Sequence, residues 1–355
     1  MSDKHYSRRD ILTTSTGAAA AALFAQPLKA APPEPTTVTP ALIEAAKREG
    51  VVTFYSALEL PVAERFGKTF EAKYPGIAVR VERSGAERLF QRIGQEQASR
   101  INGVDVANST DPAHYLDWKK NDWLAPFVPE DVAKHYPAEH VDPDGLHATV
   151  CTWLSVIGYN TDLVKREDAP KSFADLLDPK WKGKIVKAHP SYSGAILTVT
   201  FLLVRELGWG FFEKLAEQKV LQMQSAAEPP KKIQAGERAV MAEGNDYNLA
   251  LLRDRNQPVE TVYPTEGTPL IVVKCGIFRN APHPNAARLF ENYLFSAEAQ
   301  QIFVDAFAHR SVHAQVKERP GRPPLSALKL LKADPAAVLA VTEEIKARYS
   351  KIFRV

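Results

Sequence analysis

The sequence predicts an α/β protein of two lobes joined by a hinge, with a cleft between them. Three observations carry this. Helix-type and strand-type patterns alternate from residue 41 to residue 107, the pattern restarts at a long apolar run over 149–159, and a strand-type run returns at 267–278. A chain that visits a second unit and then regains strands in the first makes two crossing connections, which is the layout of a hinge.

The elements follow in order. Residues 41–49 read as a short amphipathic helix stopped by Gly50, and Val51 to Tyr55 as a strand of β-branched and aromatic residues. Apolar positions 62, 66 and 70 have a helix period, Pro75-Gly76 is a turn, and 77–81 is the next strand. Ser84 and Glu87 have capping-box spacing for a helix to about Ser99, and 104–107 is a third strand. The β-α-β-α-β order predicts a parallel sheet. The run 149–159 reads as one long strand, followed by a helix near 172–177 and a strand at 184–188. Ser193 or Gly194 opens an apolar helix to about Leu207, and 211–219 is another helix. Residues 239–243 are a strand, Tyr247 opens a helix to Arg255, and helices are expected near 284–295 and 297–307. Arg319 to Pro324 is a linker to a terminal pair of helices, 325–332 and 335–349. The expected division is lobe 1 from 41–150 plus 267–310, lobe 2 from 151–266, and C-terminal helices over 320–355 packing on the lobes.

Of the 355 residues, 45% are apolar and 25% charged, with 45 Lys and Arg against 42 Asp and Glu. That balance argues against nucleic acid as a partner. Two cysteines exclude a disulfide scaffold and any multi-cysteine metal centre. Cys151 and Cys275 read either as a pair or as two buried thiols.

Lys4, Arg8 and Arg9 precede an uncharged stretch of small and apolar residues from Ile11 to Ala25. That order is a signal peptide over 1–30. Ser7-Arg8-Arg9-Asp10-Ile11-Leu12 resembles the twin-arginine export signal. A periplasmic location by that route is the expectation.

In open α/β sheets, ligands bind beyond the carboxyl ends of the strands. The turns found there hold Ser56 to Glu59, Arg83-Ser84, Ser109-Thr110, Tyr192-Ser193-Gly194-Ala195, and Asn245-Asp246-Tyr247. A helix N-terminus carrying serine and free N–H groups suits an anion. Ser84 and Ser193 also read simply as helix caps, the commoner role of serine at such positions.

Several segments, spread over nearly the whole chain, resemble the solute-binding proteins of ABC importers, in particular the ferric-ion-binding group with the type II periplasmic binding protein fold. They include Val52 to Ser56, Gly103 to Val106, Val156 to Thr161, the run Asp178-Pro179-Lys180-Trp181-Lys182-Gly183-Lys184-Ile185, Ser193-Gly194-Ala195, Gly267 to Leu270 and Asn285 to Phe290. The resemblance implies two lobes closing on a small solute, with membrane permease and ATPase subunits as partners and a monomeric binding protein. In the ferric group two adjacent tyrosines stand where this chain has Asp246-Tyr247. That group's histidine after the first strand falls near Glu59, and its glutamate after the third strand near Thr110. The ferric set is therefore incomplete, leaving Tyr247, Asp246 and Glu59 for a hard cation. The expected ligand is a small anionic organic solute, of carboxylate or phosphonate type, with Trp153 or Tyr192 as aromatic walls. Iron(III) as transported cargo is the alternative; no cofactor is expected.

An exported enzyme is the rival class. Gly208-Trp209-Gly210 lacks the third glycine of a dinucleotide loop, no H-E-x-x-H or G-x-S-x-G occurs, and the nine histidines are scattered.

Overall fold

The computed structural model describes residues 33–355; the export signal expected over 1–30 lies outside them. The first unit runs α1 (Pro40–Glu49), β1 (Val51–Ser56), α2 (Leu60–Lys73), β2 (Ala78–Arg83), α3 (Ala86–Ala98), β3 (Val106–Ser109), α4 (Ala113–Lys120), α5 (Glu130–His135) and β4 (Ala148–Leu154). Next come β5 (Ile157–Asn160), β6 (Ile185–Ala188), α6 (Gly194–Leu207), α7 (Trp209–Glu217), β7 (Leu221–Met223), α8 (Pro229–Gln234), β8 (Val240–Met241), α9 (Asp246–Asp254) and β9 (Val259–Val262). The chain closes with β10 (Thr268–Ile277), α10 (Pro284–Phe295), α11 (Ala297–Phe307), β11 (Leu330–Leu331) and α12 (Pro335–Phe353).

Two sheets result. The first has the order β11-β10-β3-β1-β2, with β4 paired to β10, and β1 is parallel to both β2 and β3, as the β-α-β-α-β pattern predicts. The second has the order β7-β6-β8-β5-β9. β10 runs antiparallel to β3 and β4, so it enters the first sheet from the second unit. Its residues Ile271, Val273 and Cys275 face a core that includes Phe54, Phe66, Phe70, Phe290 and Phe303.

Three local expectations need correction. The run 149–159 is two strands, β4 and β5, and they belong to different sheets. The crossover falls at Ser155-Val156, a few residues past the expected 150/151 boundary. Leu154, Val156 and Ile157 are fully buried, so the period carries no mark where the chain changes sheets. Residues 325–332 are not a helix: Leu325–Ala327 is a single tight turn, and Leu330–Leu331 pair in parallel with Thr268 and Pro269. Of the two open readings of the cysteines, the second holds: Cys151 and Cys275 are both free and buried.

The third correction concerns Ser84 and Glu87. The N-cap of α3 is Gly85, and no side chain caps it. Glu87 turns inward instead. Its carboxylate meets His114 Nε2 at 3.0 Å and receives a hydrogen bond from Lys346 at 2.7 Å, while His114 Nδ1 lies 2.8 Å from Ser109 Oγ. Burial alone raises the Glu87 carboxyl, but His114 and Lys346 outweigh it and hold it at about 2. A depressed carboxyl adds stability above its ordinary value, about 4.3, and loses it as pH falls through the folded value. Glu87→Gln should therefore be less stable than the native protein near neutral pH. Denaturant unfolding at descending pH should show that gap closing between about pH 4.3 and 2.

The same ion pair fastens the C-terminal helix. α12 reaches the first unit through Lys346 and the second through Tyr349, whose hydroxyl meets Lys187 Nζ and donates to Gln222 Oε1 at 2.9 Å. α12 therefore straps the two halves together.

Candidate functional site

A cavity of about 230 Å³ lies between the two units. Clefts for drug-sized ligands run about 300–1,000 Å³, so this one suits a small solute. From the first unit come Ala57, Leu58, Glu59, Arg83, Gly85, Ala86, Arg88, Thr110 and Trp153. From the second come Tyr192, Ser193, Ala195, the loop Gln224–Glu228, Asn245 and Tyr247.

The halves touch around it. Tyr247 donates its hydroxyl proton to Glu59 Oε1 at 3.0 Å, and Asn248 donates to the same oxygen at 2.9 Å. Arg88 donates to Gln224 Oε1 at 2.8 Å. Two glycines permit the approach. A Cβ at Gly85 would sit 2.7 Å from the Tyr192 carbonyl oxygen, and one at Gly194 would sit 2.6 Å from Asp111 Cβ. These distances are below any ordinary contact, so a side chain at either position would hold the halves apart.

Part of the cavity lining suits negative charge. The first turns of two long helices, α3 at Ala86 and α6 at Ala195, both line it. α3 has no side-chain cap, because its N-cap is Gly85, so the first-turn N–H groups of α3 keep their donor capacity. Ser193 caps α6, its Oγ accepting from the Ile196 N–H at 3.4 Å. The Arg88 guanidinium stands over the Tyr192 ring at 5.7 Å, and Arg83 donates through Nε to the Leu58 carbonyl at 3.2 Å, leaving its terminal nitrogens to spare. Two helix N-termini and two guanidinium groups therefore line the same cavity, together with the carboxylates of Glu59 and Glu228.

The lining also has acceptors and aromatic side chains. The Tyr247 ring meets Trp153 edge-on at 5.4 Å and stacks on His309 at 4.0 Å. The Asn245 amide donates to the Tyr247 hydroxyl at 2.7 Å. Burial, and then the Glu59 carboxylate, push the Tyr247 phenol well above its usual value, so it holds its proton. Burial pushes His309, behind Tyr247, down to about 3, so that ring is neutral.

Nine of the expected residues line the cavity: Glu59, Arg83, Thr110, Trp153, Tyr192, Ser193, Ala195, Asn245 and Tyr247. Five do not. Ser56 is buried, accepting hydrogen bonds from Asn108 and from the Leu58 N–H. Ser84 is outside the lining, since Gly85 rather than Ser84 meets Tyr192. Ser109 is held by His114. Gly194 packs on Asp111. Asp246 faces away: its carboxylate accepts from the Leu154 N–H at 3.0 Å and lies 3.4 Å from Arg322 and 3.7 Å from Arg310. It cannot join Tyr247 and Glu59 around a cation.

Sequence reasoning missed Arg88 and the loop Gln224–Glu228. The loop had one readable signal, the acceptor Glu228 placed to tie it, which takes the Gln224 and Ser225 N–H groups at 2.9 and 3.1 Å.

The model of the family described as "Bacterial extracellular solute-binding protein" matches residues 104–335. The Iron uptake protein A1 of Synechocystis sp. is 26% identical over 243 residues, 63% of this chain and 66% of that protein. A putative 2-aminoethylphosphonate-binding periplasmic protein of Salmonella typhimurium is 27% identical over 270 residues, 71% of this chain and 76% of that one. Among solved structures, the periplasmic binding protein AfuA from Actinobacillus pleuropneumoniae, with fructose-6-phosphate bound, superposes with a TM-score of 0.78. It is 22% identical, with 86% of this chain and 99% of that one covered. The likeness shows a shared two-lobed fold.

Proposed function

The chain belongs to the bacterial extracellular solute-binding protein family, and on that premise we propose that it captures a small anionic organic solute, of carboxylate or phosphonate type, between its lobes in the periplasm. It delivers that solute to the permease of an ABC importer, and it is a binding protein, not an enzyme. One observation carries the choice of ligand: the N-terminal turns of α3 and α6, with Arg83 and Arg88, line the cavity, and α3 is left without a side-chain cap. Relatives named for phosphonate and sugar-phosphate ligands support the same class.

Ser193 is the residue to test. Its hydroxyl is the side-chain donor that α6 presents to the cavity, and a hydrogen bond to a charged group contributes about 1.5–3 kcal/mol. Ser193→Ala should weaken binding of the preferred organic anion roughly tenfold or more in calorimetric titration. An unchanged affinity would remove Ser193 from the site.

Iron(III) is the second reading. Glu59 and Tyr247 meet in the cavity, and a relative carries an iron-uptake name. A hard cation would find the Glu59 and Glu228 carboxylates and the Tyr247 phenol in the lining, without Asp246, which is turned away. This reading requires a visible phenolate-to-iron band that Tyr247→Phe abolishes.

A further inference from the structure

Behind the first cavity, on the crossover side, is a second of about 470 Å³. Its floor is one face of β10. Leu270, Val272 and Lys274 alternate along that strand and so share a face, and Thr152 of β4 stands opposite Val272. Leu325 and Leu330 of the C-terminal segment cover it. Thr110 lies between the two cavities, and Thr198 of α6 closes the second from the other half.

The lining is mainly apolar, with one ammonium left over. Lys274 is only 9% exposed, yet it has no hydrogen bond or ion pair among the described residues. The Thr152 and Thr198 hydroxyl oxygens are sealed off from the cavity, also without partners among those residues. Polar groups at such low exposure are normally satisfied, and an ammonium strongly so. One unpaired ammonium on an apolar cavity describes a site for an anion with an apolar body.

The surrounding charges agree. Lys332 adds a second cation to the lining. Burial and then Lys274 depress His140, and burial and then Lys274 hold His147 at about 3, so both histidines are neutral. Asp142 faces this group too, but Lys119 already binds it at 2.8 Å. Glu139 is the remaining acid in the lining, and it is exposed.

We infer that this cavity is a second binding site, for a small apolar monocarboxylate. Its tail packs against Leu270, Val272 and Leu330, and its carboxylate takes the Lys274 ammonium. Because the wall includes β4 and β10, which cross between the sheets, and α6, which caps the first cavity, an occupant touches both halves at once.

The test uses the whole protein, with octanoate and benzoate as probes and octanamide as the neutral control. Calorimetry should show the carboxylates binding at least tenfold tighter than octanamide. Lys274→Met, which keeps the apolar volume, should abolish that preference, and Ser193→Ala in the other cavity should leave it unchanged. Burial holds Lys274 down at about 8, with Asp142 opposing, so binding near pH 8 should also take up a proton, seen as a buffer-dependent enthalpy that Lys274→Met removes. Lys274→Gln gives a second readout, the same lost preference, should Lys274→Met not fold. The inference is overturned if neither carboxylate binds, if octanamide binds as well as octanoate, or if the affinity falls with Ser193→Ala and survives Lys274→Met.

Discussion

Replacing Asp246 with alanine should cost about 3–5 kcal/mol of stability, the scale for removing one partner of a buried ion pair. Asp246 is 1% exposed and Arg310 1% exposed. Without the aspartate, two guanidinium groups are left facing each other in the interior, and the Leu154 N–H loses its acceptor at the end of β4. Arg310 also pairs through its backbone with Thr152, so the damage reaches the crossover itself. Urea unfolding of the protein without ligand measures the effect. Asp246→Asn should keep the Leu154 acceptor yet still lose much of the stability, because the charge is gone. A ligand role for Asp246 predicts the opposite pattern, in which ligand-free stability is spared and only binding suffers.

Lys187 and Glu243 should show a comparable loss and a distinctive recovery. They pair at 2.7 Å with side chains only 1% exposed, and Lys187 also donates to the Ala188 carbonyl at 2.9 Å. Burial pushes the lysine down and the glutamate up, so each depends on the other to stay charged. Lys187→Met strands a buried carboxylate and should cost about 3–5 kcal/mol. The double variant Lys187→Met, Glu243→Leu removes both charges and should regain most of that loss, since apolar replacements of a buried pair are often neutral. The unfolding free energies of the four proteins form a cycle, and additive losses would show that the pair is not coupled. The Tyr349 contact places this pair beneath α12, so the single variant should also loosen the strap between the halves.

Much of the fold was legible, for identifiable reasons. The turns after β1, β2 and β6 announced themselves through a strand pattern followed by serine or glycine, and Ser193 does cap the next helix. The places where reading failed are those where a distant residue decides. Ser84 and Glu87 have ideal capping spacing, but His114 and Lys346, 27 and 259 positions away, take the glutamate. Asp246 beside Tyr247 reads as a metal ligand from its type and position. Nothing local shows that Arg310 and Arg322 come back in the chain to meet it. Arg88 sits on a polar helix face that looks solvated until Gln224 and Tyr192 of the other half approach. Lys274 lies in an apolar strand whose second face is covered only when β11 returns to β10. In each case local pattern set the element, and a long-range contact set the role of the side chain.

Small-angle scattering during titration with organophosphonates and short carboxylates, with ferric citrate in parallel, tests the central claim most directly. The account expects the molecule to contract as an organic anion saturates the interlobe cavity, with the midpoint displaced to higher concentration in Ser193→Ala. No contraction with any organic anion, together with contraction on ferric citrate that Tyr247→Phe abolishes, would contradict it.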